Sequence, residues 1–341
     1  MQTLRAFRIH DDTSGTGFAV RAGFESVALP QPAVGQVLLR VAFSGINYKD
    51  ALAASGAGRI LRRFPLTGGI DFSGTVVASA DPRWHEGDLA LVAGCGLSET
   101  QDGGYADYAC VAADWLVPLS PGQSLWSVMA LGTAGFTAAL ALHKLELNGL
   151  QPGQGPVAVT GASGGVGSIA VDLLAARGYA VTAISRKPDQ AAYLRSLGAA
   201  QVLSPDQLGL TGKPLERAHW AAAIDNVGGD LLAGLLSATM TGGSVASIGQ
   251  AGGAALHTTV MPFILRGVNL LGIGSSGTPH ALRLALWQRL GRDLQPRHLS
   301  RIAPHTIAFE ELPTAFAGLL QGSNVGRIVV RIDPNAVVES T

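Results

Sequence analysis

Hydrophobic and polar positions change their rhythm near residue 125. Before it, short apolar runs are set off by turn residues: Val37 to Phe43, Gly74 to Ala80, and Leu89 to Ala93 after the turn Glu86-Gly87-Asp88. Such runs predict short strands, and a stretch that hardly alternates helix with strand predicts a mostly β domain. From about 126 the two periods alternate. Val157 to Thr160 is a short β-branched run suited to a strand buried on both faces. Val166, Ile169, Ala170, Leu173 and Leu174 then recur on one face of a helix that stops near Arg177-Gly178, and Ala180 to Ile184 forms a second strand. A helix around Asp189 to Leu197, strands at Ala200 to Leu203 and Ala221 to Ile224, a helix at Leu231 to Thr239, and strands at Gly243 to Ile248 and Asn269 to Gly274 continue the series. This alternation predicts an α/β fold with a doubly wound parallel sheet.

The tail holds a helix marked by Leu312, Ala315, Phe316, Leu319 and Leu320, then a turn at Asn324 to Gly326 and a last apolar strand, Gly326 to Ile332. A strand so late is expected to rejoin the first domain's sheet. That domain then comprises residues 1–125 and 301–341, around a nucleotide domain at 126–300. The apolar stretch Trp126 to Leu142 is interrupted by Ser127, Gly132, Thr133, Gly135 and Thr137. It reads as a buried helix rather than a membrane span.

Composition narrows the class. A chain of 341 residues has room for two domains, and 47% apolar against 14% charged residues suits a large α/β core. Zero formal net charge gives no reason to expect a nucleic-acid partner. Two cysteines, Cys95 and Cys110, cannot build a disulfide framework, and Met1-Gln-Thr-Leu-Arg has no signal-peptide character, so a cytoplasmic protein is expected.

The candidate chemistry starts at the glycine turn. Gly161, Gly164 and Gly167 form Gly-x-x-Gly-x-x-Gly, with Gly165 between them, and the order strand, turn, helix, strand makes this a dinucleotide grip. A helix start offers unpaired N–H groups and partial positive charge, and glycine lets a pyrophosphate approach the backbone. Ser163, Gly164, Gly165 and Val166 are the candidate contacts. The spacing departs from the commoner Gly-x-Gly-x-x-Gly. At the end of the second strand an NAD site usually carries Asp or Glu, whereas this chain has Ser185, Arg186 and Lys187. A guanidinium can clasp a 2′-phosphate that a carboxylate would repel, which predicts NADPH. Asp189, beyond Pro188, is expected to cap the next helix. Ligands lie beyond the carboxyl ends of the strands, so Asn226, Gly249, Gln250 and Ser275 are candidates for the nicotinamide half.

Several segments together are similar to the medium-chain dehydrogenase/reductases, and more narrowly to the quinone-oxidoreductase-like branch that includes NADPH-dependent acrylyl-CoA reductases. They are Asn47 to Leu52, Phe64-Pro65, Gly69 to Val76, Gly132 to Ala138, Val159 to Gly167, Val260 to Arg266 and Gly326-Arg327. The resemblance implies a Rossmann nucleotide domain, a mostly β GroES-like catalytic domain and a homodimer. It also implies that Thr133 and Asn324 complete the cofactor contacts. Zinc members place a Cys near Tyr48 and a His-Glu pair where this chain has Ile70-Asp71, so no metal is expected.

Without zinc, the expected chemistry is hydride transfer to an activated C=C bond. Tyr48, with Asn47 and Asp50 beside it, is the catalytic candidate, because the family's Asn-Tyr-Lys-Asp segment faces the cofactor. Arg59, Arg62 and Arg63 fall within five positions and could meet coenzyme A phosphates, or form a solvated face. Three readings stay open: reduction of a short enoyl-CoA such as acrylyl-CoA, reduction of a quinone or free enone, and NADPH binding without turnover.

Overall fold

The computed structural model describes residues 2–12 and 18–338, which divide into two units. The first reaches Thr133, and Ser276–Gly291 and the chain from Leu299 onward return to it; the second is Ala134–Ser275 with Arg292–His298.

In chain order the first unit contributes β1 (Thr3–Asp11), β2 (Val20–Ala28), β3 (Gln36–Gly45), α1 (Tyr48–Ser55), β4 (Leu66–Thr67), β5 (Asp71–Ser79), β6 (Leu89–Ala93), β7 (Tyr108–Ala112), β8 (Val117–Pro118) and the start of α2 (Leu125–Leu147). The second holds β9 (Pro156–Thr160), α3 (Gly165–Ala176), β10 (Ala180–Ile184), α4 (Ala191–Ser196), β11 (Gln201–Leu203), β12 (Trp220–Asp225), α5 (Gly229–Ser237), β13 (Thr239–Ser247), α6 (Met261–Arg266) and β14 (Asn269–Gly272). The chain then adds α7 (His280–Leu290), α8 (Leu299–Ile302), β15 (His305–Ala308), α9 (Leu312–Leu320) and β16 (Ile328–Arg331).

The first unit has a small sheet, β2-β1-β4, and a larger one, β15-β16-β3-β5-β6-β8, with β7 also on β3. Strand β3 is the hub: it pairs antiparallel with β5, β7 and β16, and its Val37, Leu39 and Val41 are fully buried. The late strand thus rejoins the first sheet, with Val330 opposite Ser44. Around it pack Phe7, Ile9, Phe72, Val76, Tyr105, Phe309 and Phe316. Phe7 meets Phe24 and Phe316 edge-on, with ring centroids 5.2 and 5.8 Å apart. Such edge-to-face pairs suit the aromatic quadrupole.

The second unit is one parallel sheet, β11-β10-β9-β12-β13-β14. Strand β9 is central, which is why Val157, Ala158 and Val159 are apolar and fully buried. The buried stripe Ile169, Ala170, Leu173 and Leu174 seats α3, whose end passes through Arg177 to Gly178 at φ +83°.

Helix α2 is long and apolar enough to cross a membrane, yet 83% of its most apolar window is buried within the protein. It is interrupted at Gly132, whose φ 52° and ψ −154° are not helical.

Two readings are corrected. Residues 126–133 and 276–291 belong to the first unit, not to the nucleotide domain. Part of the cause is Arg283 on α7, whose buried guanidinium donates to the carbonyl of Ala93 at the end of β6 and, at 3.0 Å, to that of Ser276. Asp189 caps no helix: it lies inside a 3-10 turn, Pro188–Gln190, and Gln190 precedes α4. Elements α1, α6, α7, β1 and β2 had no expectation. The α1 sequence Tyr-Lys-Asp-Ala-Leu-Ala-Ala-Ser, for one, is too short and alanine-rich to show an apolar stripe.

Candidate active site

In the first unit the candidate residues gather at the start of α1. Asn47 is extended and precedes the helix, and the Asp50 carboxylate reaches back to accept its N–H at 2.9 Å, as in a capping box. Tyr48 is thereby the first helical residue, and it is 50% exposed. Asp50 is buried, and its other oxygen accepts the Ile70 N–H at 3.0 Å. Burial first, then the neighbouring Asp71, pushes its pKa up to about 7, against the opposing bonds from Asn47 and Ile70. So placed, Asp50 is held by the helix start and by Ile70, away from solvent.

Beneath this start lies a group of charges for which sequence reading assigned no role. Asp71 is fully buried; Oδ1 accepts the Gly45 N–H at 2.9 Å, and Oδ2 accepts the Thr133 N–H at 2.8 Å and Asn47 Nδ2 at 3.0 Å. Arg327, also buried, donates from Nη1 to the Ile46 carbonyl at 2.9 Å and to Asn47 Oδ1 at 3.0 Å, with Nη2 4.0 Å from Asp71. Burial lowers the Arg327 pKa, while Asp71 and Asp50 favour the charge. Tyr105 donates to the Gly45 carbonyl at 2.9 Å, and burial holds its phenol far above the ordinary value. The only signals in the sequence were the Ile70-Asp71 and Gly326-Arg327 pairs within the resembling segments.

Arg59, Arg62 and Arg63 are all exposed, on the segment after α1. The Arg59 guanidinium stands 4.9 Å from the Phe18 ring centre, and none of the three forms an ion pair among the described residues. Asn324 is half-buried, on the approach to β16.

In the second unit the other candidates line the carboxyl edge of the parallel sheet in strand order. After β10 comes Ser185, buried, with its hydroxyl 3.1 Å from that of Ser163 and accepting the Lys187 N–H at 3.1 Å. Arg186 points to solvent; Lys187 is half-buried, and desolvation lowers its pKa. After β9, Gly161 takes φ +56° and Gly164 precedes α3 with no side-chain cap, so the first N–H groups of a twelve-residue helix are open to a ligand. A Cβ on Gly164 would touch only the Gly161 carbonyl, at 3.3 Å; one on Gly167 would strike it at 2.3 Å and Ala162 Cα at 2.6 Å. Gly167 therefore seats the helix, and Gly164 keeps its mouth clear. This cradle fits a dinucleotide pyrophosphate.

Beyond β12, Asn226 is fixed by its Nδ2 bond to the Thr160 carbonyl at 2.8 Å. The buried Asp225 accepts Thr160 Oγ1 at 2.7 Å and the Gly228 N–H at 2.8 Å, and burial raises its pKa. Gly249 follows β13, where a Cβ would lie 2.3 Å from the Asn226 carbonyl oxygen. Gln250 is exposed and Ser275 half-buried.

Comparison with known proteins bears on the family and the fold. The family model described as alcohol dehydrogenase GroES-like domain matches residues 33–121, and that described as zinc-binding dehydrogenase matches 165–290. The chain is 46% identical over 325 residues to the acrylyl-CoA reductase AcuI of Ruegeria pomeroyi, covering 95% of this chain and 97% of that one. It is 50% identical over 297 residues to YhfP of Bacillus subtilis, named as a quinone oxidoreductase, covering 87% and 90%. The crystal structure of the Salmonella enterica yhdH oxidoreductase with NADP superposes with a TM-score of 0.91 at 44% identity over 96% and 100% of the two chains; that of YhfP with NAD gives 0.92 at 44% over 97% and 100%. The chain belongs to the medium-chain dehydrogenase/reductase superfamily, with a GroES-like domain and a Rossmann-type nucleotide domain. Within it the chain is a member of the quinone-oxidoreductase-like branch, and it is an oxidoreductase.

Zinc does not fit the residues present. Among the described residues no three His, Cys, Asp or Glu side chains are grouped to hold a metal ion. Asp71, the one acid in the corresponding segment, is taken up by three N–H donors and has a guanidinium 4.0 Å away.

Proposed function

We propose that the protein uses NADPH to reduce the C=C bond of a short enoyl-CoA, converting acrylyl-CoA to propionyl-CoA. The observation that carries the reading is the carboxylate-free end of β10, Ser185-Arg186-Lys187, on a chain 46% identical to an acrylyl-CoA reductase. When bound, NADPH supplies the hydride. Ser163 and the Gly164–Val166 turn would hold the pyrophosphate, and Arg186, with Ser185 and Lys187, the 2′-phosphate. Asn226, Gly249, Gln250, Ser275, Thr133 and Asn324 would orient the nicotinamide half. As the β-carbon gains a hydride, negative charge gathers on the thioester oxygen, and the α-carbon then takes a proton. Tyr48, half exposed on the first turn of α1, would contact the nicotinamide and donate a hydrogen bond to that oxygen. The solvent-facing Arg59, Arg62 and Arg63 would meet the phosphates of coenzyme A.

A second reading, quinone or free-enone reduction, is favoured by the YhfP name, and the NAD in the YhfP crystal structure bears on cofactor choice. Steady-state kinetics on acrylyl-CoA, a free enone and naphthoquinone, each with NADPH and NADH, decide between them. A dominant kcat/KM for acrylyl-CoA with NADPH supports the proposal; equal or better turnover of naphthoquinone overturns it.

We also propose a homodimer. Strand β14 is an open edge of the parallel sheet and carries exposed Leu270, while Val260, Ile264 and Leu265, just before and within α6, are exposed as well. Pairing of two such edges would satisfy their backbone groups and cover these side chains.

A further inference from the structure

The buried Asp71 and Arg327 side chains lie between two glycine backbones. A Cβ on Gly45 would fall 2.5 Å from Arg327 Nη2 and 2.7 Å from Asp71 Oδ1, and one on Gly132 would fall 2.6 Å from the same Nη2 and 2.7 Å from Asp71 Oδ2. The socket therefore accepts this pair only because both walls lack side chains. Gly132 also breaks α2, which leaves carbonyls open before the break and an N–H open after it. Arg327 donates to the first set, Nε to Ala130 at 3.3 Å and Nη2 to Met129 at 3.4 Å, while Asp71 accepts the Thr133 N–H. Each charge meets the helix end of opposite sign.

The same two side chains grip Asn47 from both sides of its amide, Asp71 accepting from Nδ2 and Arg327 donating to Oδ1. Asn47 is the residue immediately before Tyr48. Asp50 and Tyr105 are the other titratable groups facing the cluster. An ion pair with this many directed bonds sets a geometry as well as a charge balance. We propose that Asp71 and Arg327 are positioning residues, which fix the aim of Tyr48 by locking the Asn47 junction to the broken end of α2. This rests on the reading that Tyr48 works at the reacting centre. Both side chains are buried, so their effect on the reaction passes through Asn47.

The test is a double-mutant cycle. Arg327→Lys keeps the charge but loses the fork, and is expected to lower kcat roughly 10- to 100-fold, the cost of a misplacement near 1 Å. KM for acrylyl-CoA and the NADPH Kd, read by fluorescence, should stay within about twofold, since the glycine turn is untouched. On a Tyr48→Phe background the same change should cost little more, because it acts through that phenol. Full multiplication of the two losses, or an unchanged kcat per NADPH-binding site, overturns the proposal. Should Arg327→Lys fail to fold, Asn47→Ala keeps the pair with its backbone partners and takes its place in the cycle, where a non-additive loss supports the proposal and a multiplicative one overturns it.

Hydrogen exchange supplies a readout independent of turnover. Amides from Asn47 to Asp50 should exchange faster in Arg327→Lys or Asn47→Ala than in the unaltered protein, and unchanged exchange overturns the proposal. If the unaltered protein oxidises NADPH with no enoyl-CoA, enone or quinone, the functional reading falls, while exchange still decides whether the pair holds Tyr48.

Discussion

Arg186 lies exposed beside a buried serine, an arrangement that would suit a 2′-phosphate. Arg186→Ala is expected to weaken NADPH by about 1.5–3 kcal/mol, the range for a hydrogen bond to a charged group, and to leave NADH nearly unchanged. Titration of both cofactors by fluorescence checks this, and equal losses would remove the phosphate role. Asp50 makes a second prediction. Its pKa rises from 3.8 in a free chain to about 7 here, so the native state holds a proton that the unfolded state releases. The associated stability is full below about pH 4 and is lost as pH climbs toward 7, at a slope up to about 1.4 kcal/mol per unit. Carboxyl NMR of labelled aspartate should show one signal titrating near neutrality, and an Asp50 signal flat from about pH 5 to 9 would count against it. The sequence marked Asn47, Tyr48 and Asp50 as a group. It could not separate the exposed phenol from the buried acid, because burial depends on Ile70 and Asp71 arriving from elsewhere in the chain.

At the scale of elements, the glycine turn and its flanking strands were legible because every part is local: a β-branched run, a turn, an apolar stripe, a second run. What the spacing did not show is how the glycines divide their work. Gly167→Val drives a side chain into the Gly161 carbonyl and Ala162, so it should unseat α3 and lower the melting temperature. Gly164→Val meets only one carbonyl at 3.3 Å, so the fold should persist while NADPH binding is lost. Thermal melts beside cofactor titrations separate the two; equal melting temperatures would refute the division. Helix α1 escaped notice for the opposite reason. Its start is specified by Asn47 and Asp50 rather than by an apolar face, and its buried positions are Asp50 and two alanines.

For the whole molecule, an open β14 edge and four exposed apolar residues argue for association. Light scattering on a sizing column should give a dimer, and Ile264→Glu with Leu270→Arg should give a folded monomer; a monomer before substitution would dismiss the interface. The late strand β16 could be assigned to the first sheet from sequence alone, because an apolar strand after a helix needs a partner and the nucleotide series was already complete. The return of Ser276–Gly291 could not, since it depends on a buried Arg283 finding the Ala93 carbonyl, 190 residues earlier. By itself the sequence determined the parallel sheet, the glycine cradle and the basic end of β10, all written in periodicity and neighbouring residue types. Only the tertiary structure decided that Asp71 and Arg327 meet between Gly45 and Gly132 beneath Tyr48. A contact among residues so far apart in the chain leaves no periodic trace, and it forms only when folding brings their backbones within bonding distance.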